Sequence, residues 1–206
     1  MTEKHRFWHI IRANVAKNAT VPHIDGQSPK KFERPGKIRG RALNLARRKS
    51  PKEKGGASTL VSYMGKPFLD NYTGQTTADL LGLRDEYRID SLVLAFEQAI
   101  QSKPETELSE PERFVLAIEA MEREVDNGGW DQFFGNTENE FDDVLVPALN
   151  AVGCPGTAEL SRDAIEAYRQ KVDLEEFDDR YFAGTEPIAD RLFEYIASHA
   201  NEIKLV

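Results

Sequence analysis

The stretch SEPERFVLAIEAMEREVDNGGW, residues 109–130, decides the fold. Ser109 and Glu112 stand three apart, the spacing of a capping box. There the hydroxyl accepts an orphan N–H of the first helical turn, and the carboxylate reaches back to the cap residue. Pro111 falls in that first turn, where a missing N–H leaves no intrahelical bond unmade. Phe114, Ile118, Met121 and Val125 follow at i, i+4, i+7 and i+11, one apolar stripe at the period of a helix. Asn127-Gly128-Gly129 predicts its end, because glycine takes the left-handed conformation without a Cβ clash.

The same grammar extends both ways. Upstream, Thr76 or Thr77 is expected to cap a short helix running through Leu83. Asp90 is expected to cap a second helix with Leu92, Val93, Phe96 and Ile100 on its apolar face and Pro104 just beyond its end. Downstream, Trp130 to Phe134 reads as a short helix or turn. Phe141, Leu145, Leu149 and Val152 form a stripe bent at Pro147 and stopped by Gly153. Thr157 is expected to cap a helix carrying Leu160, Ala164, Ile165 and Tyr168. Asp173 and Glu176 suggest a second capping box ahead of Phe177 and Tyr181. Thr185 is expected to cap the last helix, with Pro187 near its start and Ile188, Leu192, Tyr195, Ile196 and Ile203 on one face. No segment alternates with period two, so the fold class is all-α, without internal repeats.

Charge divides the chain. Residues 1–60 hold 15 Lys and Arg against 4 Asp and Glu, a balance of +11, and residues 61–206 hold 12 against 31, a balance of −19. The expected organisation is a basic arm or linker over 1–60 and a compact acidic helical domain over 61–206. A short helix is expected at 4–18, where Trp8, Ile11 and Val15 recur, and a brief one at 42–48. Between Asp25 and Thr59, Pro, Gly, Lys and Arg leave little apolar surface to offset ordering entropy, so this part of the arm is expected to be largely disordered. Fields of opposite sign govern partner choice and association rate rather than fold.

The remaining composition narrows the function classes. The single cysteine, Cys154, excludes an intramolecular disulfide and points to a reducing compartment. No apolar run approaches the roughly 18 residues of a membrane helix. Arg12 interrupts the short apolar patch Phe7 to Ile11 before it resembles a signal peptide. The expected location is cytoplasmic, with no membrane partner. His5 and His9 have helical metal-pair spacing but lack an adjacent glutamate and a third ligand. Acid pairs such as Asp142-Asp143 and Asp178-Asp179 need further ligands from another helix. Cys154 lacks a nearby base. No cofactor, no metal and no catalytic residue is expected, and no phosphate-binding loop occurs.

The run Asn127-Gly128-Gly129-Trp130-Asp131-Gln132-Phe133-Phe134-Gly135-Asn136 carries most of the remaining information. Two glycines permit a reversal, Trp130, Phe133 and Phe134 fill a junction, and Asn127, Gln132 and Asn136 can satisfy helix ends. It reads as a structural corner; the alternatives are a ligand niche lined by amides and Trp130, and an enzyme with a carboxylate–amide site around Asn127, Asp131, Gln132 and Asn136. This run, with the capping box before it, the helix end at Ala151-Val152-Gly153 and the later Phe177 to Phe182 and Leu192 to Ile196, resembles a bacterial domain family of uncharacterised function over about residues 75–203. One member of that family is described as a DNA mimic protein. The resemblance implies an acidic helical fold and, from that member, a dimer that occupies DNA-binding proteins.

The residues are compatible with mimicry. Carboxylates recur at one-turn spacing, so neighbours on a helix face lie about 5–6 Å apart, close to the separation of successive phosphates. The expected partner-binding set is Glu119, Glu122, Asp126, Glu138, Asp142 and Asp143, facing a basic nucleic-acid-binding protein that the chain would inhibit or regulate. The alternative is a nucleic-acid-associated protein whose arm makes the contact through Lys30, Lys31, Arg39, Arg41, Arg47 and Arg48, with the helical body as an interaction module. A homodimer is compatible with either reading.

Overall fold

Residues Val115 to Met121 are buried without interruption, so the helix that carries them has neighbours on every side. The computed structural model of the chain describes residues 65–205. The helices expected at 4–18 and 42–48, and the basic arm itself, lie outside the described residues. In chain order the elements are α1 (Thr77–Gly82), α2 (Ile89–Ile100), α3 (Glu110–Thr137), α4 (Leu145–Ala151), α5 (Pro155–Arg169), α6 (Glu175–Ala183) and α7 (Ile188–Ser198), with 3-10 turns at Leu83–Asp85 and Glu105–Glu107. Among the described residues there is no strand, and the all-α fold class holds.

α3 is the axis. α2, α4, α5, α6 and α7 all pack against it, α7 also lies on α2, and α4 on α5. The predicted capping box starts it: Ser109 Oγ accepts the Glu112 N–H at 3.4 Å, and Glu112 accepts the Ser109 N–H at 3.0 Å. Leu92, Phe96, Ile100, Ile118, Met121, Trp130, Phe133, Leu145, Leu149 and Phe193 supply much of the core. Each such side chain contributes roughly 1.5–3 kcal/mol on leaving water. The C-terminal tail is drawn in as well. Ile203 is fully buried, its carbonyl accepts the Thr77 hydroxyl at 2.6 Å, and the Lys204 N–H donates to Glu112 at 3.1 Å.

Several helix ends differ from the expected ones, and the reasons share a pattern. Thr76 caps α1 with a full capping box to Asp79, as expected. Arg88, not Asp90, holds the cap position of α2; Asp90 sits in the first turn, where its carboxylate takes the Arg88 guanidinium and the Ser91 N–H. Pro147 bends nothing: α4 begins only at Leu145, which puts the proline in the first turn, where no N–H is needed. Cys154, not Thr157, precedes α5, because Glu186 from a later loop accepts the Gly156 and Thr157 N–H groups at 2.9 and 2.7 Å. The second capping box does not form. Leu174 holds the cap position of α6, and Asp173 accepts only the Glu175 N–H. Pro187 replaces Thr185 as the cap of α7.

Candidate functional site

The glycine pair interrupts α3 without ending it. Gly128 has φ −156° and Gly129 has φ +80°, ψ −176°, after which the chain turns back into helix from Trp130 to Thr137. The Gly129 conformation is not the left-handed helical one expected. It lies in the positive-φ extended region that is essentially closed to residues with a Cβ. The restarted helix needs a cap, and the cap comes from α6: Asp178 Oδ1 accepts the Trp130 N–H at 2.8 Å. Burial pushes the Asp178 carboxyl above its ordinary range while the Trp130 bond pulls it back.

Behind this joint lies the corner that the aromatic residues predict. Trp130 and Phe133 are fully buried and Phe134 nearly so. Trp130 meets Phe133 edge-on at 5.7 Å and Tyr181 edge-on at 6.3 Å, and Phe134 stacks on Tyr168 at 4.3 Å. The Trp130 indole N–H has no hydrogen-bond partner among the described residues and lies amid aromatic rings. The amides do not form an open niche. Gln132 and Asn136 both donate to Glu124, at 2.9 and 2.6 Å, while Asn127 is exposed. Burial would raise Glu124, yet these bonds and Arg123 hold it below its ordinary value.

The six carboxylates expected to meet a partner divide into two settings. Glu119 is only 9% exposed, Glu122 is half-buried and Asp126 is exposed, so one face of α3 descends into the fold. Across from them stand Asp90 and Glu97 of α2. Glu97 is buried and takes the Arg123 guanidinium and the Gln101 amide. Burial pushes Glu97 up, and Arg123 pulls it back. Glu119 is held well above the carboxylate range, first by burial and then by Glu97 and Glu122. Glu122 is pushed up to about 7 by burial, with Asp126 and Asp90 adding to it. Glu119 is therefore not a surface group, and Glu122 only partly one.

Glu138, Asp142 and Asp143 lie on the far side of the joint, in the turn before α4. Glu138 and Asp143 are exposed. Asp142 is partly buried, 3.2 Å from Arg169, and Asp143 stands 4.0 Å from the same guanidinium. Burial raises Asp142 against the pull of Arg169. The expected partner-binding set leaves out a second acidic group, which the fold gathers at the Trp130 end of the joint. Asp131, Glu175 and Asp179 surround Asp178 closely enough to repel its charge, and α6 has no buried residue at all. The signal was the acid run at 175–179. The long-range Asp178–Trp130 bond and the Tyr181 contact with Trp130 bring Asp131 to it.

The other candidate residues find structural places. Cys154 is buried, and burial with Glu186 nearby pushes its thiol up to about 11, the opposite of an activated nucleophile. His199 is the C-terminal cap residue of α7, its Nδ1 2.9 Å from the Tyr195 carbonyl. Among the described residues no three His, Cys, Asp or Glu side chains converge as a metal-binding group. No helix there is long and apolar enough to cross a membrane. Lys30, Lys31, Arg39, Arg41, Arg47 and Arg48 lie outside the described residues.

Residues 106–199, from just before α3 to the end of α7, match the model of the family described as DMP19-like protein. This supports the resemblance to the DNA-mimic family over that span. No curated protein and no solved structure matches the chain.

Proposed function

We propose that this chain is a non-enzymatic binding protein whose acidic helical surface takes the place of DNA on a basic nucleic-acid-binding protein and so inhibits or regulates it. The observation that carries the reading is the exposed carboxylate field around the α3 joint. Asp131, Glu175 and Asp179 surround Asp178 at the joint, and Asp126, Asp131, Glu138, Asp143, Glu175, Glu176 and Asp179 are all exposed. Seven of the chain's cations, Lys66, Arg84, Arg88, Lys103, Arg123, Arg169 and Arg180, are already engaged in ion pairs with its own acids. The excess negative charge therefore faces solvent, in the form that a phosphate-reading surface accepts. The match to the DMP19-like family supports the same reading.

The test uses the full chain, immobilised and exposed to host lysate at low salt, then eluted with double-stranded DNA. The expected result is release of one or a few DNA-binding proteins, with affinity falling at least ~10-fold between 50 and 200 mM salt. A variant with Asp131, Glu175, Glu176 and Asp179 changed to their amides should lose this retention. Retention that DNA does not reverse, or that survives the four amides, overturns the reading.

A further inference from the structure

A cleft of about 270 Å³ opens where the start of α3 meets the start of α4. Apart from Asp143 at its rim, the docking reading makes no use of it. Leu108, Phe114, Val144 and Pro147 form its apolar walls. These walls are fixed from behind. The Ser109–Glu112 capping box holds the turn between Leu108 and Phe114, and Lys103 and the Lys204 N–H in turn hold Glu112. The Phe114 ring lies 6.0 Å from that of Tyr195 on α7. The Val144 N–H donates to the Phe141 carbonyl at 3.0 Å. A cleft with walls held in this way is formed before a ligand arrives, so little ordering entropy opposes binding.

Three charged side chains line the same space: Glu110, Arg113 and Asp143. Glu110 and Arg113 stand three apart on α3, the spacing at which an acid and a base pair along a helix face. They do not pair. Among the described residues Arg113 makes no ion pair, and Asp143 stands 4.0 Å from Arg169 instead. Acids and a base that line one cleft without closing on each other leave both signs of charge to a ligand. We propose that the cleft binds a free α-amino acid with an apolar side chain. Its carboxylate meets the Arg113 guanidinium, its ammonium sits against Glu110 and Asp143, and its side chain covers Leu108, Phe114, Val144 and Pro147.

Each part of the cleft favours that class. Arginine can bond a carboxylate through two parallel N–H donors. A carboxylic acid without an amine would bring its charge up to Glu110 and Asp143 with nothing to offset them. An amine without a carboxylate would leave Arg113 facing a like charge. A zwitterion answers both signs. The charges of the site also balance, Glu110 and Asp143 against Arg113 and, behind Asp143, Arg169, so a ligand without net charge fits it. The space equals about nine waters at roughly 30 Å³ each, room for leucine or phenylalanine. The site needs no partner protein, so it stands or falls apart from the docking reading.

The experiment follows the amide resonances of the full chain by NMR as L-phenylalanine or L-leucine is added. Parallel titrations use phenylpropionate, which lacks the amine, and phenethylamine, which lacks the carboxylate. The expected result is saturable shifts at Leu108, Arg113, Phe114 and Val144 with both amino acids. The analogues should bind at least ~10-fold more weakly, and Arg113→Gln should weaken amino-acid binding at least ~10-fold. Arg162→Gln removes an exposed arginine of α5 outside the cleft and should leave binding unchanged. Arg113 and Arg162 are both exposed, so neither variant disturbs the core. Absence of a saturable shift with either amino acid overturns the proposal. So does an analogue that binds as well as phenylalanine, undiminished binding in Arg113→Gln, or an equal loss in Arg162→Gln.

Discussion

Asp178 of α6 caps the restarted half of α3 by accepting the Trp130 N–H at 2.8 Å, across 48 positions of sequence. α6 has no buried residue, so this bond and the Tyr181 ring edge on Trp130 are prominent among the contacts that hold it. Asp178→Ala leaves the Trp130 N–H without its acceptor and should cost about 1–2 kcal/mol. Asp178→Asn keeps an acceptor oxygen and should cost less. Urea unfolding measures both. Amide exchange should quicken over residues 175–183 in the alanine variant alone, and uniform exchange across the chain would show that the bond does not pin α6.

The two glycines of the joint should not tolerate a methyl group equally. Gly129 has φ +80°, and a Cβ there would strike the Asp178 carboxylate that makes the cap. Strain and clash act together, so Gly129→Ala should destabilise by about 2–4 kcal/mol. Gly128 has an ordinary extended φ, and its Cβ would meet the Gln132 side chain, which can swing away at the loss of its bond to Glu124. Gly128→Ala should cost about 1 kcal/mol. Equal unfolding midpoints for the two variants would contradict this account of the joint.

What the sequence told and withheld follows the reach of each interaction. Ser109 and Glu112 were legible because both halves of the box lie within one turn. Thr157 misled because the cap of α5 is Glu186, about thirty residues away, and no local pattern announces a carboxylate that arrives through tertiary structure. Trp130, Phe133 and Phe134 are buried together, but no local pattern announces the Asp178 cap beside them. Glu119 was placed on the surface because one-turn spacing says which residues share a face and not which way that face looks. A signal was present in Val115-Leu116-Ala117-Ile118, Ala120 and Met121. A helix apolar on nearly all sides is enclosed, and an acid within it is buried too.

Glu112 joins three parts of the chain and should be among the most sensitive charged positions. Its side chain is fully buried. It takes the Lys103 ammonium at 2.8 and 2.9 Å, the Ser109 N–H at 3.0 Å and the Lys204 N–H at 3.1 Å. Glu112→Ala strands a nearly buried ammonium and two backbone donors, so a loss of about 3–5 kcal/mol is expected. Lys103→Met with Glu112→Gln removes both charges and keeps the acceptor, and should recover part of that loss. If thermal unfolding shows the double variant no more stable than Glu112→Ala, the penalty does not come from the stranded charge.

Glu122 gives the fold a pH dependence of unusual sign. A carboxyl raised from 4.5 to about 7 in the folded chain favours its protonated form there, while the unfolded chain ionises it from about pH 4.5 upward. The stability this group contributes is fully present below pH 4.5 and falls as pH rises to 7. The total fall is about 3 kcal/mol, after which the curve is flat. Asp126 and Asp90 face the same carboxyl and strengthen the effect. Glu122→Gln imitates the protonated state at every pH. It should therefore match the parent chain at pH 4 and exceed its stability by about 1–3 kcal/mol at pH 8. Paired urea titrations at the two pH values test this directly, and a variant equally or less stable at pH 8 would mean that Glu122 is ionised in the folded chain at neutral pH.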